Sequence, residues 1–123
     1  MKTNNVVRNK SFALAIRIVN LYRQLFAEKK EFVMSKQLLR SGTSVGANIR
    51  EAVNAQSKAD FIHKLTIAQK ECDETLYWIE LLKETGYLTE IEFNSIYNDG
   101  EEVFKIIRSI IITTKANEAI KKR

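Results

Sequence analysis

Residues 38–52 read LLRSGTSVGANIREA. Two glycines among serine, threonine and arginine suggest either a loop that cradles phosphate or the interior of a helix. A phosphate loop needs the spacing G-x-x-x-x-G-K-[ST], with a lysine for the phosphates and a hydroxyl for the metal. Gly42 and Gly46 are one residue too close for that, and Ala47 and Asn48 follow them. No strand precedes the stretch to position such a loop. Leu38, Gly42, Val45, Ile49 and Val53 instead recur at helical spacing straight through both glycines. The stretch is therefore the middle of a helix, with Ser35 as its candidate N-cap. Gly42 and Gly46 form a G-x-x-x-G pair on successive turns, which lets a neighbouring backbone approach closely. Each glycine costs about 1 kcal/mol of helix propensity, so tight packing has to offset it.

A second flank of this helix carries Arg40, Ser44, Asn48 and Glu51 at spacings of four, four and three. This polar stripe reads first as a structural network. A partly buried arginine needs carboxylate partners, and Glu71 and Glu74 further along are the natural ones. A ligand site or an inter-subunit network is the alternative.

Three further helices surround this one, giving spans of about 9–30, 35–55, 58–85 and 90–115 by hydrophobic period. The first carries Phe12, Leu14, Ala15, Ile16, Ile18, Val19, Leu21, Tyr22, Leu25 and Phe26. These cover more than the stripe of roughly 100° that one-sided packing requires. The excess predicts two buried faces, one for the bundle and one for another subunit; a central position in a monomer is the other explanation. The third opens at Ser57, an N-cap candidate, with Asp60 in its first turn and Gly86 as a stop signal. Its inward stripe is Phe61, Leu65, Ala68, Cys72, Leu76, Ile79 and Leu82, with Ile67 and Trp78 on a flank beside Glu71 and Glu74. The fourth opens on Thr89-x-x-Glu92, a capping box. Gly100 falls on its apolar face. Short connections make successive helices antiparallel neighbours, so the expected fold is all-α, a single-domain up-down-up-down four-helix bundle.

The composition agrees. The chain has 123 residues, 45% hydrophobic and 28% charged, with no proline and four glycines. One domain with long uninterrupted helices follows. A single cysteine precludes an intramolecular disulfide and fits a reducing cytoplasm. The start, MKTNNVVRNK, lacks the apolar core of a signal peptide. The most apolar stretch, VFKIIRSIIITTK, is interrupted by Lys105 and Arg108 and is too short to span a membrane.

The residues assemble no catalytic or metal constellation. His63 is the only histidine and Cys72 the only cysteine, too few for a zinc site and poorly spaced for a Cys/His nucleophile. A surface histidine and a small core cysteine are the readings. Di-metal bundles need Glu-x-x-His pairs on two helices, and none occurs. Glu71/Glu74 and Glu101/Glu102 have no base or nucleophile beside them. A non-enzymatic protein without cofactor or metal is expected.

Charge is the remaining signal. The net charge is +5, and residues 1–30 hold seven Lys/Arg against the single acid Glu28. Arg8, Lys10, Arg17, Arg23, Lys29 and Lys30 are the candidate nucleic-acid-binding residues, with Lys121, Lys122 and Arg123 at the other terminus. No helix-turn-helix, zinc finger or ribonucleoprotein motif accompanies them, so binding would be driven by the phosphate backbone.

QLLRSGTSVGANIREA, followed by SKADFIHKLTIAQKECDETLYWIELL, resembles the four-helix bundle proteins encoded by intervening sequences in 23S ribosomal RNA genes. Arg40, Ser44, Asn48, Ile49 and Glu51 match that family's motif; Ala52 stands where many relatives have glycine. The resemblance implies an antiparallel four-helix bundle assembled as a ring-like homopentamer. It also implies likeness to the accessory variability protein of diversity-generating retroelements, a basic bundle that binds nucleic acid and a reverse transcriptase. The functional expectation is thus an oligomeric module that binds RNA or other nucleic acid. The alternative is an oligomeric adaptor for a protein partner.

Overall fold

The computed structural model describes residues 2–122. It contains four helices, α1 (Lys2–Ala27), α2 (Met34–Val53), α3 (Lys58–Glu84) and α4 (Glu90–Lys121), and no strand among the described residues. Side-chain pairings fix their directions. A Cβ at Gly42 would lie against Ile18, and one at Gly46 against Ser11. Arg40 reaches Glu71 while Glu51 reaches Lys64. Cys72 meets Gly100 while Lys83 meets Glu90. Lys10 meets Glu102 while Arg17 meets Asp99. In each pair of helices one number rises as the other falls, so all four neighbouring contacts are antiparallel. The fold is an up-down-up-down four-helix bundle, closed by α1 against α4.

Leu14, Ile18, Leu25, Leu38, Val45, Ile49, Leu65, Ile79, Leu82, Val103 and Ile107 fill the core. Full burial of each such side chain stabilises by about 1.5–3 kcal/mol. Two polar pairs share this interior without a lost hydrogen bond. Ser11 donates to the Arg8 carbonyl at 3.0 Å. The hydroxyls of Ser41 and Thr75 lie 3.0 Å apart, joining α2 to α3.

Three boundaries differ from the sequence expectation. Helix α1 begins at Lys2 because Val7 and Ser11 extend the buried series ahead of Leu14 and Ile18. A serine in a core position hides that continuation. Helix α1 ends at Ala27, which leaves Lys29 and Lys30 outside it, and Lys30 adopts φ 55, a left-handed conformation, in the connection to α2. Helix α4 runs on to Lys121.

Ser35 is not the N-cap of α2. It is buried in the first turn, and the capping acceptor is the Glu31 carboxylate. That group accepts from the backbone N–H of Val33 (3.1 Å), Met34 (3.1 Å) and Ser35 (2.7 Å). Farther along α2, Ala52 is buried and the expected core residue Val53 only half-buried. The other caps form as read. Ser57 accepts from the Asp60 N–H, Thr89 and Glu92 close a capping box, and Gly86 ends α3 at φ 87. Hydrogen bonds from Gly86 to the Lys83 carbonyl and from Tyr87 to the Leu82 carbonyl make that end a Schellman motif.

Gly100 is a packing glycine of a softer kind. A Cβ there would lie 2.9 Å from Leu76 Cδ2, the far end of a flexible side chain. Gly100→Ala is therefore expected to leave stability within about 1 kcal/mol of wild type, the gain in helix propensity offsetting a small Leu76 shift. A urea melt measures this; a loss of several kcal/mol would mean that Leu76 has no room to move.

Candidate nucleic-acid interface

The six basic candidates around α1 do not form one surface. Lys10 Nζ binds Glu102 at 3.0 Å. Arg17 reaches Asp99 at 2.6 Å, the Ser95 carbonyl at 3.1 Å and the Ser95 hydroxyl at 2.9 Å. These two residues tie α1 to α4. Arg23, Lys29 and Lys30 are exposed at one end of the bundle, while exposed Arg8 lies toward the other. Of the C-terminal candidates, Lys121 and Lys122 close α4, and Arg123 lies outside the described residues.

Charge segregates along the bundle axis. The antiparallel register places residues 3–13, 46–69 and 100–122 in one half. That half holds ten Lys/Arg against five Asp/Glu, and residues 14–45 and 70–99 hold eight against ten. In the basic half, Glu51, Glu101, Glu102 and Glu118 are already matched by Lys64, Lys105, Lys10 and Lys121. Arg8, Arg50, Lys58, Arg108, Lys115 and Lys122 are exposed and in no ion pair among the described residues. They surround the end where α1 begins, α2 turns into α3 and α4 finishes. Sequence reading missed Arg50, Lys58, Arg108 and Lys115 because they are scattered along three helices. Only the topology brings them together.

The polar stripe on α2 divides. Arg40 bridges to α3, with Nη1 3.0 Å from Glu71 and Nη2 on Glu74. Glu74 also accepts from the Trp78 indole at 3.0 Å. The Trp78 and Arg40 hydrogen bonds hold the Glu74 carboxyl below its usual range despite partial burial. Ser44 donates to the Arg40 carbonyl and Asn48 to the Ser44 carbonyl, both within α2. Glu51 pairs with Lys64 rather than joining Arg40. The stripe is thus a local α2–α3 clasp at one end and helix self-bonding in the middle. With the Arg40 side chain half-exposed, the clasp is worth about 1 kcal/mol or less.

The glycines face α1, opposite the stripe. A Cβ on Gly42 would sit 2.7 Å from Ile18 Cγ2, and one on Gly46 3.4 Å from the Ser11 carbonyl oxygen. The outer flank of α1 is apolar, with Phe12, Ile16 and Phe26 about half-exposed and Arg50 stacked over the Phe12 ring at 5.7 Å. Phe26 also packs edge-on against exposed Phe32.

Cys72 is buried 3.4 Å from the Gly100 carbonyl, and burial with the nearby Asp73 charge pushes its thiol up to about 12. That keeps the sulfur protonated and unreactive. His63 is exposed. Among the described residues, no three His, Cys, Asp or Glu side chains converge as a metal set. No described helix is long and apolar enough to cross a membrane.

Residues 3–109 match the family described as 23S rRNA-intervening sequence protein. The chain is also similar to a crystallised protein of unknown function from the S23 ribosomal protein family of Bacteroides thetaiotaomicron. Identity is 61%, coverage is 89% of this chain and 97% of that one, and the TM-score is 0.87. No curated protein matches.

Proposed function

The chain belongs to the 23S rRNA-intervening sequence protein family, and from that premise we propose that it is a non-enzymatic, homo-oligomeric module that binds RNA or other nucleic acid. The carrying observation is the basic end, where six exposed Lys/Arg have no acidic partner among the described residues and counterion release can drive backbone binding. Subunits pack through the outer flank of α1, where Phe12, Ile16 and Phe26 stay about half-exposed even with Arg50 over Phe12 and Phe32 against Phe26. A ring of five copies repeats the basic end five times and raises a weak single-site affinity by multivalency.

Anisotropy of a labelled structured RNA, titrated at rising salt, tests this, with light scattering for the assembly. Wild type binds, and charge reversal of Arg8, Arg108 and Lys115 to Glu weakens binding and flattens the salt slope by about three. Charge reversal of Lys29, Lys30 and Lys36 at the other end does less. Failure to bind even at low salt, or equal effects at both ends, sinks the reading. A monomer at micromolar concentration removes the assigned role of the α1 flank.

An oligomeric adaptor for a protein partner is the second reading. It is favoured by exposed Tyr77, which packs edge-on against Trp78 on α3. A pull-down that returns nucleic acid and no protein counts against it.

A further inference from the structure

Helix α4 continues past the family match, which stops at residue 109, and past the start of α1. Lys10 stands opposite Glu102, and Arg17 opposite Ser95 and Asp99, so α1 begins level with residue 110 or so in an antiparallel register. The rest of α4 overhangs the basic end. Beneath it, between the first turn of α1 and the start of α3, lies a cleft of about 470 Å³.

Its lining is mixed in a specific way. Lys58 and Lys121 bring positive charge, Asn4, Thr114 and Asn117 bring neutral hydrogen-bonding groups, and Ile110 gives an apolar wall. Glu118 also lines it, within 4.0 Å of Lys121. The volume suits one small organic molecule rather than a bare anion. Two amides can read a sugar or a base edge with both donors and acceptors. Lysines at a phosphate act as point charges.

We propose that this cleft holds a single nucleotide unit of a bound strand. Its phosphate lies against Lys58, which is in no ion pair among the described residues, and its sugar and base lie against Asn4, Thr114, Asn117 and Ile110. The proposal rests on the nucleic-acid reading above and adds what that reading lacks, a site that takes the nucleotide itself beside a surface that takes only charge.

Titration of the full chain with adenosine 5′-monophosphate, inorganic phosphate and adenosine, followed by amide chemical shifts, tests it. The nucleotide is expected to bind with a dissociation constant of roughly 1 mM, a realistic affinity for so small a ligand. The perturbed amides are those at the start of α1, the start of α3 and the end of α4. Lys58→Gln and Asn117→Leu are each expected to weaken binding about tenfold. Both residues sit at the bundle end, outside the core, so both variants fold. Inorganic phosphate binding as tightly as the nucleotide overturns the proposal, as do shifts centred elsewhere. If RNA binds wild type and Asn117→Leu alike while the nucleotide does not bind, the cleft assignment falls and the nucleic-acid reading stands. If RNA fails to bind wild type at low salt, that reading falls on its own test.

Discussion

Gly42→Leu is expected to lower the unfolding free energy by about 3 kcal/mol, the upper range for overpacking a core. The first atom of any side chain there would come within 2.7 Å of Ile18 Cγ2 and 2.9 Å of Ile18 Cγ1. Ile18 is fully buried, and a β-branched residue in a helix has one strongly preferred rotamer, so it cannot turn aside. Relief requires α1 to move away from α2, which opens the core around Leu14, Val45 and Ile49. Urea melts of Gly42→Ala, Ile18→Ala and the double variant resolve the contact. The double variant should be less destabilised than the sum of the two singles, because removing the Ile18 methyls makes room for the new Cβ. Strict additivity would show that the clash is not there. Gly46 makes a graded comparison. Its added Cβ would come no closer than 3.4 Å to the Ser11 carbonyl oxygen, with the Ser11 hydroxyl at 3.7 Å, so Gly42 carries the tighter constraint of the pair.

Glu31→Ala is expected to cost about 2 kcal/mol at neutral pH, at the high end for loss of a helix cap. One carboxylate here accepts three backbone N–H groups in a buried position, and hydrogen bonds to a charged acceptor are stronger than neutral ones. Burial by itself raises the Glu31 pKa. The hydrogen bonds from Ser35, Met34 and Val33 outweigh it, and the net shift is downward. A depressed folded-state pKa means that the stabilisation is fully present above the ordinary carboxylate pKa. It is lost as pH falls through the lower folded value. Wild type and Glu31→Ala should therefore differ most near pH 7 and converge in strong acid. Urea midpoints at pH 7 and at successive steps below about pH 4 measure this. A gap that stays constant with pH would mean that the carboxylate charge plays no part in the cap.

These two sites mark different kinds of legibility. Gly42 could be read as a packing glycine because the apolar period runs through it, and a helix that tolerates such a residue in its core stripe needs a close neighbour. Which neighbour it meets depends on how α1 lies against α2. Glu31 gave no comparable sign. Capping motifs are recognised at fixed offsets from the helix, and Ser35 stood in a plausible one; the real acceptor folds back from a loop. Ser11 hid the early start of α1 for a related reason, since its hydroxyl satisfies itself on the Arg8 carbonyl and a polar residue thereby takes a core position.

Periodicity, capping residues and short connections specify the four helices and their antiparallel order, because those depend on spacing along one chain. The Arg40–Glu71–Glu74 clasp was legible for the same reason, as complementary charges on two adjacent amphipathic helices. The candidate interface was not. Lys10 and Arg17 look like free cations in the sequence, yet α4 supplies their partners Glu102 and Asp99. Arg50, Lys58, Arg108 and Lys115 look like isolated surface charges, yet the bundle gathers them with Arg8 and Lys122 around one end. An unbalanced surface is a sum over helices distant in sequence, and only their tertiary register sets which charges cancel and which remain exposed.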